Sequence, residues 1–142
     1  MLMKKESFVQ GLQMKDIPDI WEPTGRALIT DDDIVNYIEL PLRQAIKILV
    51  DKRVKTYFST ANRNNTLAFV IIEPNYLSPA NIQVAKDSFG YEGREHERIS
   101  LELPITPDTF AEAVEEFFIS LAEKFVEQKE WAATYHAASY SR

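Results

Sequence analysis

The clearest periodic pattern in the chain lies between positions 42 and 50. Apolar residues recur there at intervals of three and four: Leu42, Ala45, Ile46, Leu49 and Val50. This spacing predicts a helix with one buried face. Pro41 precedes the pattern. It either kinks a longer helix or stands in the first turn of a new one, where the missing N–H costs little.

A helix start is predicted just upstream, at Thr30. Its hydroxyl can cap the first turn, and Asp31, Asp32 and Asp33 follow where the positive end of the helix dipole favours anions. The same three carboxylates also invite a metal-binding interpretation. Consecutive side chains point in different directions around a helix, however, and no calcium-loop spacing accompanies them. We therefore predict a cap and no metal site.

Three stretches have the composition of β-strands. Residues 54–60 and 66–73 are rich in β-branched and aromatic residues, and the polar loop 61–65 between them predicts a hairpin. Residues 98–105 alternate between apolar and polar positions, which predicts a strand with one face in solvent. A further short strand is predicted at 26–30.

Two more helices are predicted in the second half of the chain. Ser78 and Pro79 open the first, which is expected to run to about Ser88. The second begins near Asp108 and is expected to reach at least Glu127, because no glycine or proline follows its start. Its apolar stripe consists of Phe110, Val114, Phe117, Phe118, Leu121, Phe125 and Val126.

The order of these elements favours one class of fold. Strands follow one another without the strict strand–helix alternation that builds a parallel sheet. We therefore predict a single α+β domain over residues 1–142. It consists of a small, mainly antiparallel sheet of about three or four strands, helices packed on one face, and a long amphipathic C-terminal helix. Residues 1–26, with prolines at Pro18 and Pro23, are expected to be irregular.

Length and composition exclude several classes of protein. With 142 residues, 45% of them hydrophobic, the chain can bury a core. The absence of cysteine excludes disulfides, thiolate catalysis and Cys-based metal sites. The net charge of −6 disfavours binding to nucleic acid or anionic membranes. No apolar run approaches the roughly 20 residues of a membrane span, and the charged start argues against a signal peptide. A cytoplasmic location is expected.

Familiar catalytic and cofactor motifs are missing. The four glycines form neither a dinucleotide-binding fingerprint nor a phosphate loop, so we expect no cofactor. His96 lies between Glu95 and Glu97 in a charged loop, where carboxylates can tune an imidazole for proton transfer. It is the best candidate for a general base. A solvated loop without a catalytic role explains the same residues.

Charge is divided unevenly along the sequence. Residues 43–65 contain six basic residues and one acid, Asp51, whereas residues 92–130 contain eleven acids and four basic residues. Segments of opposite charge can attract each other within a fold or across a symmetric dimer.

The basic stretch suggests a small anion site. Its candidate members combine cations with hydroxyl and amide groups: Arg53, Lys55, Tyr57, Ser59, Asn62 and Arg63. Alternation along the predicted strand places Lys55, Tyr57 and Ser59 on one face. Such a set can bind phosphate or another anion. The alternative is that the cations form a solvated face near the C-terminal end of a helix.

The tail, residues 131–142, is rich in alanine and aromatic residues but has almost no charge. It either continues the last helix or forms a contact surface through Trp131, Tyr135 and Tyr140, since tryptophan and tyrosine are enriched at interface centres. We favour a non-catalytic interaction or regulatory domain that acts as a homo-oligomer through this tail. The alternative is a small-ligand binder or an enzyme that recognises an anionic group beside the hairpin 53–63.

Overall fold

The computed structural model describes residues 9–18 and 31–129. The strand predicted at 26–30, the cap predicted at Thr30, the tail 131–142 and most of the irregular segment 1–26 lie outside these described residues.

Four α-helices and three β-strands make up the described part of the chain. In order they are α1 (Asp31–Tyr37), α2 (Arg43–Asp51), β1 (Thr56–Arg63), β2 (Leu67–Ile72), α3 (Pro79–Phe89), β3 (Ile99–Pro104) and α4 (Ala111–Ala122). The strands form one antiparallel sheet in the order β1-β2-β3. The predicted α+β class, the hairpin and the antiparallel sheet are confirmed, with three strands in the described ranges.

The hairpin between β1 and β2 closes through asparagine side chains. Asn64 and Asn65 both have positive φ angles, of 53° and 59°, a backbone conformation that asparagine tolerates better than most residues. The side-chain oxygen of Asn62 accepts a hydrogen bond from the backbone N–H of Asn65 at 2.8 Å. The turn is therefore fixed by local side-chain chemistry.

One face of the sheet carries the hydrophobic core. A single cluster joins its residues to those of all four helices: Ala68, Val70, Ile72, Ile99 and Leu101 from the sheet, with Ile34, Ile38, Ala45, Ile46, Leu49, Ala85, Ala111, Val114, Phe118 and Ala122. On the opposite face, the rings of Phe58 and Phe69 lie 5.8 Å apart. Ser100 and Glu102 on β3 are exposed. The alternation predicted for residues 98–105 is confirmed in β3.

The predicted starts of two helices are also confirmed. Pro41 lies in a 3-10 turn, Leu40–Leu42, directly before α2, so a new helix begins here and no long helix is kinked. The hydroxyl of Ser78 accepts a hydrogen bond from Asn81 N–H and caps α3. Gly90, at a φ of 70°, ends α3, because glycine adopts the left-handed conformation without steric cost.

The last helix ends earlier than its apolar pattern predicted. α4 stops at Ala122, before Glu127, and residues 123–129 continue without helical structure. Phe125 is still buried, at 2% exposure, and packs on Phe89, but Val126 is 46% exposed and does not belong to the core. The physical reason is a set of tertiary hydrogen bonds to the end of α4, described below.

Candidate functional site

Residues 123–129, the C-terminal strap, turn out of the end of α4 and then run across the connection between α2 and β1. Its backbone is bonded to that connection, since Gln128 N–H donates to the carbonyl oxygen of Lys52 at 2.8 Å. Three polar anchors then hold the strap: the cations Lys52 and Arg53, and an amide pair formed by Asn81 and Gln128.

Lys52 binds the carboxyl end of α4. Its Nζ lies 3.2 Å from the carbonyl oxygen of Ala122, 3.1 Å from that of Glu123 and 2.6 Å from that of Phe125. The carbonyl of Ala122 lies at the negative end of the α4 dipole, and those of Glu123 and Phe125 belong to the turn that follows, so an ammonium group at this position favours the turn. Burial lowers the pKa of Lys52, while the charge of Glu123 acts in the opposite direction.

Arg53 secures the distal end of the strap. Its Nη1 donates to the carbonyl oxygens of Gln128, at 3.3 Å, and Lys129, at 3.0 Å. Arg53 has a φ of 60°, a backbone conformation that is uncommon for residues other than glycine, asparagine and aspartate. The contacts made by the side chain and the turn into β1 hold this backbone in place.

Asn81 and Gln128, the amide latch, are the most deeply buried polar anchors. They are 0% and 2% exposed. The Gln128 oxygen accepts from Ser78 N–H at 2.8 Å and from Asn81 Nδ2 at 3.0 Å. The Gln128 nitrogen donates to the carbonyl oxygens of Arg53 at 2.8 Å and Tyr76 at 3.3 Å.

Asn81 completes the latch by binding the strap backbone on both sides. Its Nδ2 donates to the carbonyl oxygen of Val126 at 2.8 Å, and its oxygen accepts from the N–H of the same residue, also at 2.8 Å. This paired geometry imitates a β-ladder contact. Because buried amides are costly unless they are bonded, the latch fixes one position of the strap.

Arg43 repeats the chemistry of Lys52 at a second helix end. Its Nε and Nη2 donate to the carbonyl oxygens of Ile38 and Val35, each at 2.9 Å, beside the carboxyl end of α1. Burial lowers the pKa of Arg43. Three cations of the basic stretch 43–65 therefore bind backbone carbonyls of other segments. Of the acids in the segment 92–130, the charge of Glu123 acts on Lys52.

The six residues predicted to form an anion site lie in β1 or in the turn directly before it. Arg53 is committed to the strap and Asn62 to the hairpin turn. Lys55 precedes β1, and its Nζ lies 4.1 Å from the ring centroid of Tyr76. Arg63 is exposed at the end of β1, and Ser59 is half-buried within the strand.

Tyr57 has a partner that the sequence did not suggest. The guanidinium of Arg98 lies 3.9 Å from its ring centroid, and Arg98 Nε pairs with Glu73 at 3.2 Å. The pairing register changes between Thr56 and Phe58, so Tyr57 is an extra residue on β1 and interrupts the expected alternation. Tyr57 is 58% exposed. Arg98 supplies a cation beside β1 that the predicted set lacked.

His96 lies on an open loop. Its side chain is 90% exposed, it has a φ of 64°, and its nearest described carboxylate is that of Glu95, 3.3 Å away. The described ranges contain no group of three or more His, Asp or Glu side chains able to hold a metal ion.

Sequence reasoning missed the amide latch. Asn81 looks like an ordinary position in the first turn of α3, and Gln128 stands among charged residues typical of an exposed helix end. Their contacts join positions far apart in the chain, so no local spacing reveals them.

Comparison with known proteins yields no relative. No family model, no curated protein and no solved structure matches the chain. No helix in the described ranges is both long and apolar enough to cross a membrane.

Proposed function

We propose that this protein is a non-catalytic interaction domain that acts as a homo-oligomer, with residues 131–142 forming the contact between copies. The single observation that carries the proposal is the anchoring of the strap. Gln128 is almost fully buried, and Lys52, Arg53 and Asn81 hold the chain on either side of it. The chain is therefore held on the domain as far as Lys129, two residues before the tail begins in the sequence.

A fixed attachment point matters energetically for association. A contact segment that starts from a rigid position loses less freedom on binding than one at the end of a loose linker. The tail supplies the residue types that dominate interface energies, with Trp131, Tyr135 and Tyr140 in a stretch of small residues. The chemistry of the anchors agrees with this role, because amides and carbonyl-bound cations position a chain and offer no group for catalysis.

The anion-binding alternative has less support. Of its six candidate residues, Arg53 and Asn62 are engaged in structural hydrogen bonds, and Tyr57 stacks against Arg98. The remaining cations, Lys55 and Arg63, lie at opposite ends of β1. A strand of this length separates them by about 25 Å, since a strand rises about 3.3 Å per residue.

Light scattering coupled to size exclusion tests the proposal. The full chain is expected at an integral multiple of its 16.4 kDa mass, and a chain that ends at Lys129 is expected as a monomer with an unchanged circular dichroism spectrum. A monomeric full chain across the accessible concentration range would contradict the proposal, as would a truncated chain that keeps the mass of the full one.

A matched pair of tail variants separates aromatic contacts from mere length. The triple variant Trp131→Ala, Tyr135→Ala and Tyr140→Ala should become monomeric. The control Thr134→Ala, Ser139→Ala and Ser141→Ala changes the same segment at small polar positions and should keep the oligomer. Equal loss of mass in both variants would show that the aromatic side chains are not the contact.

A further inference from the structure

α4 ends at a position where its own sequence carries no stop signal. α3 ends at Gly90, whose φ of 70° turns the backbone out of the helix. Glu123, directly after α4, instead keeps a right-handed helical conformation, with a φ of −67° and a ψ of −17°. No glycine or proline follows it in the sequence. The turn into the strap therefore depends on contacts with other parts of the protein.

The backbone that joins α4 to the strap is itself close to helical. Lys124 N–H donates to the carbonyl oxygen of Leu121 at 3.1 Å. Phe125 N–H donates to that of Ala122 at 3.3 Å. These bonds span three residues where an α-helix spans four, so a small change in backbone angles separates this turn from a continued helix. Most residues of the strap are also strong helix formers: Glu123, Lys124, Glu127, Gln128 and Lys129. The local sequence favours helix here, whereas the tertiary contacts favour the strap.

The amide anchors of the strap lie beyond this turn. Asn81 on α3 binds both backbone groups of Val126 at 2.8 Å. Gln128 is bonded to Ser78 N–H and to the carbonyl oxygen of Arg53, also at 2.8 Å. These bonds have the same geometry whether the strap belongs to the same copy of the chain or to a second copy. Exchange of the strap between two copies therefore keeps the bonds and lets α4 continue where its sequence favours helix.

The hinge, residues 123 and 124, does not hold two copies together by itself. A continued helix over these residues gains less free energy than two copies lose in freedom when they associate. The exchange therefore rests on the proposed function, in which the tail 131–142 joins the copies. The tail begins two residues after Lys129, so copies joined through it hold their straps close together. A short hinge whose local preference differs from its conformation favours exchange under these conditions.

We propose that the copies in the homo-oligomer exchange their straps. Residues 125–129 of one copy occupy the site made by Arg53, Ser78 and Asn81 of the other, and α4 continues through the hinge. The anchoring site of each copy is then incomplete until Gln128 of the second copy enters it. The tail follows the strap in the chain, so strap and tail contribute to one contact between the copies.

An isotope-filtered NMR experiment on the full chain tests the exchange. Isotope-labelled chain is unfolded and refolded with an equal amount of unlabelled chain, and nuclear Overhauser effects are recorded separately within and between copies. We expect effects between copies from the ring of Phe125 to that of Phe89, whose centroids lie 5.5 Å apart, and from Gln128 to Ser78. An oligomer that shows these effects only within one copy would overturn the exchange and leave the tail contact intact. A monomeric chain would overturn both proposals.

Two variants at one exposed position of the hinge test its continuation as a helix. Lys124 is exposed, and Lys124→Ala favours helix there whereas Lys124→Gly disfavours it. We expect the ratio of effects between copies to effects within a copy to be at least about fivefold lower for the glycine variant. If circular dichroism shows that Lys124→Gly does not fold, Lys124→Ser replaces it, because serine is also a weaker helix former than alanine. Equal ratios in the two variants would contradict helix continuation at the hinge and overturn the exchange.

Discussion

The amide latch and the loop 91–98 contain similar polar chemistry but have opposite surroundings. Asn81 and Gln128 are nearly inaccessible to solvent, and each side-chain amide makes several hydrogen bonds to fixed partners. In the loop, His96 and Glu95 are about nine-tenths exposed and contact mainly each other. The loop carries more charge, but the amide latch fixes the backbone path of the strap. Burial, and not the number of polar groups, decides which of the two regions is structurally important.

The largest effect is expected from Gln128→Ala. The substitution removes four hydrogen bonds at once, with Ser78 N–H, Asn81 Nδ2, and the carbonyl oxygens of Arg53 and Tyr76. Partial rehydration reduces the penalty, so we expect the free energy of unfolding to fall by about 3 kcal/mol. Urea denaturation at one fixed chain concentration measures it. Glu127→Ala, exposed on the same strap, should change stability by less than about 0.5 kcal/mol.

Removal of the charge at position 52 should have an intermediate effect. Lys52→Met keeps an apolar stem but loses the ammonium group that binds three carbonyls at the end of α4. Burial of the ammonium group, which lowers the pKa of Lys52, offsets part of the stabilisation from these hydrogen bonds. We therefore expect Lys52→Met to lower the free energy of unfolding by about 1 kcal/mol. Lys86→Met on the exposed side of α3 is the control. If both variants lose the same stability in urea denaturation, the ammonium group has no special role at the strap.

His96→Ala should change stability little, by less than about 0.5 kcal/mol, because the side chain is exposed and its pairing with Glu95 is solvated. The same urea experiment compares it directly with Gln128→Ala. If His96→Ala lowered the free energy of unfolding as much as Gln128→Ala does, the loop would be as important for stability as the amide latch, and the comparison would be wrong.

Tyr91, at the start of the loop 91–98, gives the prediction with the smallest expected effect. Burial raises the pKa of its phenol above the ordinary value of 10.0, and the charges of Glu97 and Glu73 act in the same direction. Above pH 10 the folded chain therefore keeps a proton that the unfolded chain releases, and this contribution to stability is lost as the pH rises through the folded value. An NMR titration of the tyrosine rings should show the raised pKa, and Glu97→Gln should lower it. A Tyr91 that titrates at or below pH 10 would contradict this account.

Local sequence signals predicted the local parts of the fold. Pro41 and the apolar spacing that follows it predicted α2, and Ser78 predicted the start of α3, because caps and amphipathic faces depend on residues a few positions apart. The end of α4 could not be found in this way. Phe125 continues the apolar period of the helix, yet it reaches the core from backbone that is no longer helical.

The candidate site depended on contacts between distant parts of the chain. The sequence singled out Arg53 as a basic residue, but its partners are the carbonyls of Gln128 and Lys129, some 75 positions away. The alternative interpretation, cations at a helix C-terminal end, was closer to the observed chemistry. The helix that Lys52 binds is α4, however, and not the helix that Lys52 follows in sequence.

A double-mutant cycle on Asn81 and Gln128 tests the central claim most directly, namely that the two amides act as one unit that fixes the strap. Unfolding free energies of the parent chain, Asn81→Ala, Gln128→Ala and the double variant would be measured by urea denaturation at one chain concentration. Because each single variant already breaks the hydrogen bond between the two amides, the account predicts that the double variant loses less than the sum of the two, with a coupling energy of about 1 kcal/mol or more. Strict additivity of the two losses would contradict it.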